Sequence, residues 1–378
     1  MKYRSIGEIC TKITDYVANG SFKSLKENVI YTDESQGYAV LIRLTDYRNN
    51  FKGPFQYINK AGYQFLKKTK LYGGEIIISN VGTHLGTTFK APQLDKPMSL
   101  GPNAIVIDTK YNNDYYYYFL SSPSGQELMK TIVSGSAQPK FNKTAFKRLL
   151  VPVPPLEEQE RIANIFLQID KKIALNVQIN ENLLALAETI FKKYFPNVNS
   201  GKEKIGSYIA NFDKFRRPIA NRKRLAIQGK YRYIGAAAVN DYIDKYNFDG
   251  IYLLLGEDGS VEDKDGYPVL QYVFGKFWPN NHVHVLQGKH VSTEWLYLFF
   301  RQKKVSTIIT GAVQQKISQK NLNSLTVKIP AKDELVKFDQ IIQPLFTKIR
   351  ANETENMELA EIKQVLFSQF FDNHREVR

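Results

Sequence analysis

A chain of 378 residues with 43% hydrophobic and 24% charged residues is too long for one ordinary core and too apolar to be disordered, so two domains of roughly 100–150 residues plus connecting elements are expected. The single cysteine, Cys10, excludes an internal disulfide framework, and no apolar run reaches the ~18 residues of a membrane span, so a cytoplasmic chain without membrane attachment is expected. The formal net charge of +15 favours a polyanionic partner, because each neutralised phosphate releases a condensed counterion, although many basic proteins bind no nucleic acid.

In chain order, Ser5-Ile6-Gly7-Glu8-Ile9 is the first anchor. Ile76-Ile77-Ile78 reads as a strand that ends in a glycine-bearing loop. The run Tyr115-Tyr116-Tyr117-Tyr118 continues into Phe119-Leu120. It reads as a helix packed on the core, with stacking on bases as the alternative. Beyond Pro154-Pro155, Glu157 to Phe195 carries apolar residues three and four apart, with acids in the first turn, and Pro196 closes it, which predicts a long helix. A second anchor, Lys204-Ile205-Gly206-Ser207-Tyr208, opens the next domain. The stretch Lys214 to Arg224 is strongly basic, Tyr252-Leu253-Leu254-Leu255 reads as a strand, and Asp333 to Phe371 repeats the long-helix pattern with Pro344 inside it.

These elements form a repeat. Gly135-Ser136-Ala137-Gln138-Pro139-Lys140-Phe141 corresponds to Gly311-Ala312-Val313-Gln314-Gln315-Lys316-Ile317, at an offset of 311 − 135 = 176. The register holds through Leu149/Leu325, Pro154/Pro330, Glu158/Glu334, Ile173/Ile349, Phe191/Phe367 and Phe195/Phe371. Between the anchors and this segment the halves hardly match. Each half is therefore a variable globular part followed by a preserved tail.

The first helical seam runs Ile162, Phe166, Ile169, Ile173, Asn176, Asn180, Leu183, Ala187, Ile190 and Tyr194. The second runs Phe338, Ile342, Leu345, Ile349, Asn352, Asn356, Leu359, Lys363, Leu366 and Phe370. If the helices pair antiparallel, Asn176, Asn180, Asn352 and Asn356 meet at the centre, where buried asparagines fix register; the alternative is that they face solvent. At 1.5 Å per residue, ~38 residues make a helix of roughly 57 Å, a ruler between two reader domains.

Val153-Pro154-Pro155-Leu156-Glu157-Glu158-Gln159-Glu160-Arg161-Ile162-Ala163 and the helix after it resemble the first conserved region of type I restriction–modification specificity subunits. Ser134-Gly135-Ser136-Ala137-Gln138 and Thr310-Gly311-Ala312-Val313-Gln314 resemble the glycine–glutamine segment near the end of each target recognition domain in that family. Leu253 to Gly259, Asn280 to Val285, Thr14 to Phe22 and Gly74 to Ser79 resemble recognition-domain segments. The likeness runs over essentially the whole chain. In one departure, Ile329-Pro330-Ala331-Lys332-Asp333-Glu334-Leu335 lacks the Pro-Leu and Gln of the first tail, which makes the two partner contacts unequal.

The resemblance implies an α+β fold with a pseudo-twofold internal repeat. Two target recognition domains, 1–150 and 201–328, are separated by two long antiparallel helices in conserved regions 151–200 and 329–378. It implies a non-catalytic chain that reads a split double-stranded DNA target with an unread spacer. Its partners would be two modification subunits that methylate adenine at N6, and restriction and motor subunits in the full complex. S-adenosylmethionine, ATP and Mg2+ would belong to those partners, and this chain would bind no cofactor.

Side chains in the strand-end loops are the candidate base readers: Asn80, Thr83, His84, Ser136, Gln138 and Lys140 in the first domain, and Glu257, Asp258, Ser260, Asn281, His282, Gln314 and Lys316 in the second. Asn and Gln pair bidentately with adenine and Lys reaches guanine, whereas the alternative role of such residues is turn formation. Lys214, Arg216, Arg217, Arg222, Lys223 and Arg224 are candidate phosphate contacts or a solvated basic loop. His282 and His284 share a strand face but lack a nearby cysteine or evident third ligand, so no metal site is expected. The chain has no Asn-Pro-Pro-Tyr or Asp-Pro-Pro-Tyr, no glycine-rich cofactor loop after a strand and no Walker loop. A self-sufficient DNA-modifying enzyme is therefore disfavoured. A scaffold that binds two copies of a protein and no DNA is the remaining alternative, and the basic charge argues against it.

Overall fold

A computed structural model describes residues 2–135, 137–311 and 313–372, and the candidate Ser136 lies outside them. The chain forms two compact units, one of residues 1–173 and 357–378, the other of 174–356. The boundaries fall inside the two long helices, Leu156–Tyr194 and Lys332–Phe367. The second helix continues through Pro344 and ends in a π-helical turn, Ser368–Asp372.

In the first unit, a four-stranded antiparallel sheet has the order Cys10–Asp15, Ala104–Thr109, Ile76–Ser79, Thr88–Lys90. The run Ile76-Ile77-Ile78 is apolar throughout because both faces of this strand are covered. Ile76 and Ile78 pack with Ile105, Ile107 and the helix Asn113–Ser121, while Ile77 points the other way, toward Val106, Phe89, Val40 and Leu100. Successive strand side chains alternate between faces. The second layer is a five-stranded sheet in which Ala39–Ile42 and Met98–Leu100 run parallel. Tyr115, Tyr116 and Tyr118 are fully buried, so the tyrosine run belongs to the core. A two-stranded ribbon, Lys2–Ser5 with Leu150–Val153, ties the chain start to the strand that feeds the long helix.

The second unit repeats the four-stranded antiparallel sheet and has a four-stranded second layer in place of the five-stranded one. Its antiparallel sheet has the order Ile209–Asn211, Val283–Gly288, Tyr252–Gly256, Leu270–Val273. Leu253 and Leu255 face the helix Thr293–Phe300 with Trp295 and Phe299, and Leu254 faces Ile234, Phe248 and Phe277 on the other side. The ribbon recurs as Glu203–Lys204 with Thr326–Val327. The variable parts, which hardly match in sequence, thus share the order of this antiparallel sheet, since a strand covered on both faces needs apolar residues but no particular ones.

Each unit also holds an antiparallel pairing of helix segments. In the first, Phe166 stacks on Phe367 with ring centroids 4.8 Å apart, and Lys363 pairs with Asp170 at 2.5 Å. In the second, Phe338 packs on Phe195 and Phe191, centroids 4.9 and 5.7 Å away. Phe191 and Phe195 take the buried positions there, and the expected seam residue Tyr194 is exposed. The four asparagines meet inside the second unit. Asn176 Nδ2 donates to Asn356 Oδ1 at 2.9 Å, and Asn352 Nδ2 donates to Asn180 Oδ1 at 2.8 Å. Asn176 pairs with Asn356 as Asn352 pairs with Asn180, so the contact obeys the same offset of 352 − 176 = 176 as the sequence repeat. Asn176 and Asn352 are both 1% exposed. A one-turn slip would bury these amides opposite apolar residues, at a cost of about 1–3 kcal/mol for each unpaired group.

Candidate DNA interface

In both units the Gly-x-x-Gln segment forms the same turn. Ser134 and Lys140 exchange two backbone hydrogen bonds, 2.8 and 2.9 Å, as do Thr310 and Lys316 at 2.9 and 2.8 Å. Gly135 has φ +86° and Gly311 φ +92°, a left-handed backbone that suits glycine. A Cβ on Gly135 would lie 2.9 Å from the Gln138 carbonyl oxygen, and one on Gly311 would run into that of Gln314.

The turn is fixed to the loop after the central strand in the same way in both units. Phe141 N–H donates to Asn80 O at 3.1 Å and Gly82 N–H to Pro139 O at 2.9 Å; Ile317 N–H donates to Glu257 O at 2.8 Å and Gly259 N–H to Gln315 O at 3.0 Å. A third loop joins each site, through Asn80 N–H to Asn103 O at 3.1 Å and Glu257 N–H to His282 O at 2.9 Å. These bonds make Asn80 the counterpart of Glu257, and Thr83 that of Ser260. The frame is common and the side chains on it differ.

In the first unit, Thr83, His84, Gln138 and Lys140 are exposed on this frame. Asn80 is half-buried, and its Nδ2 donates to the Phe141 carbonyl at 3.1 Å, which commits the amide to holding the turn. An apolar cleft of about 660 Å³ adjoins these loops, lined by Val17, Phe22, Ile30 and Tyr31 and reaching Asn80 and Asn103.

In the second unit, Ser260, Asn281, His282, Gln314 and Lys316 are exposed, whereas Glu257 and Asp258 are half-buried. Glu257 pairs with Arg216 at 2.6 Å and Lys316 at 3.5 Å, and Asp258 hydrogen-bonds His282. Lys214, Arg217, Arg222 and Lys223 are exposed. Arg216 and Arg224 have internal roles instead. Arg216 Nη1 donates to the Val283 carbonyl at 2.5 Å, while Arg224 pairs with Asp241 at 3.2 Å and lies 4.5 Å over the Tyr233 ring.

Beneath these loops lie two residues that the sequence does not single out as a pair, Asp213 and His284. His284 is 1% exposed; its Nδ1 hydrogen-bonds Asp213 at 2.7 Å and its Nε2 the Ile317 carbonyl at 2.8 Å. With acceptors at both ring nitrogens, the ring is best satisfied as imidazolium. Burial opposes its charge, but the bond and charge of Asp213, the Ile317 carbonyl and Glu257 outweigh it and raise the pKa above the ordinary value. Burial likewise opposes the Asp213 carboxylate, yet bonds from His284, Asn211 and the Val285 N–H hold its pKa below the usual range. Asp213, Glu257 and His284 bring ligand-type atoms within 4.8 Å of one another. No lone pair on His284 is free, and Arg216 and Lys316 already supply the positive charge, so the cluster works as an ion-pair network that clamps three loops. The sequence separation of 71 between Asp213 and His284 explains why spacing does not reveal the pair.

The chain belongs to the type I restriction modification DNA specificity domain family, whose pattern matches residues 1–185 and 207–364. Specificity subunits are the non-catalytic components of type I restriction–modification complexes. The chain is 32% identical over 126 residues to a putative type I restriction enzyme specificity subunit of Haemophilus influenzae, which is 32% of each chain. It is 23% identical over 289 residues, 67% of each chain, to the MjaIX specificity subunit of Methanocaldococcus jannaschii. The chain thus spans about a third of the first relative's length and about two thirds of the second's. The fold resembles the S subunit of a type I system from M. genitalium, with a TM-score of 0.52 at 15% identity, over 97% of this chain and 95% of that one. No helix among the described residues is long and apolar enough to cross a membrane.

Proposed function

We propose that this chain is a sequence-reading subunit whose two units each recognise half of a bipartite double-stranded DNA target. The repeated turn supports this reading most directly. One hydrogen-bonded frame presents Thr83, His84, Gln138 and Lys140 in one unit and Ser260, His282, Gln314 and Lys316 in the other. A common scaffold with different exposed polar groups is what two different half-sites require. The net charge of +15 suits the phosphate backbone.

In this reading the chain works in the cytoplasm and performs no chemistry. It directs two adenine-N6 methyltransferase subunits, and restriction and motor subunits where present, to the target. S-adenosylmethionine, ATP and Mg2+ would sit on those partners. The long helices would set the unread spacer.

The test is long-read mapping of N6-methyladenine in a host carrying the partner methyltransferase, with and without this gene. One bipartite motif that depends on the gene is expected. Methylation identical in both hosts, together with no DNA binding by the purified chain, would sink the reading and favour a protein scaffold.

A further inference from the structure

The loop after the short helix Leu44–Arg48 holds a backbone that Phe51 does not favour. Asn50 and Phe51 both have positive φ, 49° and 55°, which is uncommon for any side chain and costly for a bulky one; such strain tends to persist at functional sites, where the surroundings over-determine it.

The surroundings here are visible. The Phe51 ring lies 6.1 Å from Tyr47 and 6.3 Å from Phe89, and Tyr47 stacks on Phe89 at 4.7 Å. The Phe51 N–H donates to the Asp46 carbonyl at 2.8 Å, Asn50 N–H to Tyr47 O at 2.9 Å and Lys52 N–H to Asn49 O at 3.0 Å. Asp46 is itself buried and ion-paired with Arg43 at 2.8 Å. The loop is therefore anchored in the core of the first unit.

The anchoring fixes Arg48, whose side chain is exposed. Its Nη1 lies 3.0 Å from Nε2 of His84, on the loop that also carries Asn80 and Thr83. A guanidinium only donates, so Nε2 of His84 is the acceptor in this contact. Nε and Nη2 of Arg48 have no partner among the described residues. One edge of the fork thus remains open, and His84 holds the other.

We infer that Arg48 reads a guanine in the half-site of the first unit, with His84 as its positioning residue. The open edge offers two parallel N–H donors, the pattern that pairs with guanine O6 and N7 in the major groove. A lysine in its place would keep the charge and lose the fork. This assignment rests on the DNA-reading function proposed above.

The test maps N6-methyladenine in the host with the partner methyltransferase, using the full chain and the variants Arg48→Ala, Arg48→Lys, His84→Ala and His84→Gln. Both Arg48 variants should relax one guanine position in one half-site, lowering discrimination there roughly 5- to 150-fold, and leave the other half unchanged. His84→Ala should relax the same position less, and His84→Gln should restore it, because its carbonyl accepts from Arg48. If Arg48→Ala lowers the melting temperature of the purified chain, Arg48→Lys decides. An unchanged motif, a relaxed position in the other half, or a uniform loss across all sequences in Arg48→Lys would each overturn the assignment. If the wild type produces no gene-dependent motif, the DNA-reading function fails instead.

Discussion

The two units share a sheet order, a ribbon and a glycine turn, yet they hold their loops by different chemistry. In the first, the loop is pinned by the Asn80 amide and by main-chain bonds. In the second, the same position is Glu257, and the loops are clamped by charges: Asp213 with His284 below, Arg216 and Lys316 to either side. A scaffold of main-chain hydrogen bonds tolerates a change from amide to carboxylate at its corner, provided that new partners neutralise the charge. The comparison teaches that the frame and its fastening vary independently.

The largest test of this difference is His284→Leu. Removing the imidazolium takes the closest cation from Asp213, whose side chain is only 13% exposed; bonds from Asn211 and the Val285 N–H and the Arg216 guanidinium 3.7 Å away remain, so the cost falls below the about 3–5 kcal/mol of an uncompensated buried charge. Urea unfolding of the full chain followed by hydrogen exchange should show the loss in the second unit alone, with recognition of that half-site lost. Equal weakening of both units would break the comparison. The wild type should show the same clamp through pH. The raised pKa of His284 contributes stability that is full below the ordinary 6.5 and fades as pH rises through the raised value. The lowered pKa of Asp213 contributes stability that is present above the ordinary 3.8 and fades as pH falls through the lowered value. The second unit should thus be most protected between these limits, and amide exchange at Ile317 against pH measures it.

A smaller difference is expected from the turns. Gly311→Ala and Gly135→Ala both force a left-handed alanine, at about 1–2 kcal/mol. The Gln314 carbonyl crowds Gly311 more closely than the Gln138 carbonyl crowds Gly135, so Gly311→Ala should be the more destabilising in thermal melts. Equal melts would mean that the turns relax freely. The smallest effects belong to surface charge. Alanine at Lys214, Arg217, Arg222 or Lys223 should each lower the slope of log K against log salt by about one in DNA-binding titrations. Alanine at Arg216 or Arg224 should leave the slope and weaken the fold, because those guanidinium groups are already paired inside the protein. The opposite pattern would return them to the phosphate contacts.

The long helices and the position of the repeated glycine segment were legible in the sequence. Apolar residues three and four apart stay on one face of a helix whatever else surrounds them, and the repeat itself marks the matching glycines. The pairing of Asn176 with Asn356 was equally legible, because a repeat with offset 176 places like residues in register when two copies meet antiparallel. The shared sheet order was not legible. Ile76-Ile77-Ile78 and Leu253-Leu254-Leu255 satisfy the same two-sided burial with different residues, so matching letters could not reveal it.

Among the candidate contacts, sequence alone named loops that the fold brings together but did not sort the side chains on them. Asn80, Glu257, Arg216 and Arg224 are committed within the protein, while Thr83, Gln138, Ser260 and Gln314 are exposed. The reason is physical. Helix period and backbone dihedral are properties of neighbouring residues. Whether a charge is free depends on a partner such as Val283 for Arg216, 67 residues away, and only the folded chain brings the two together.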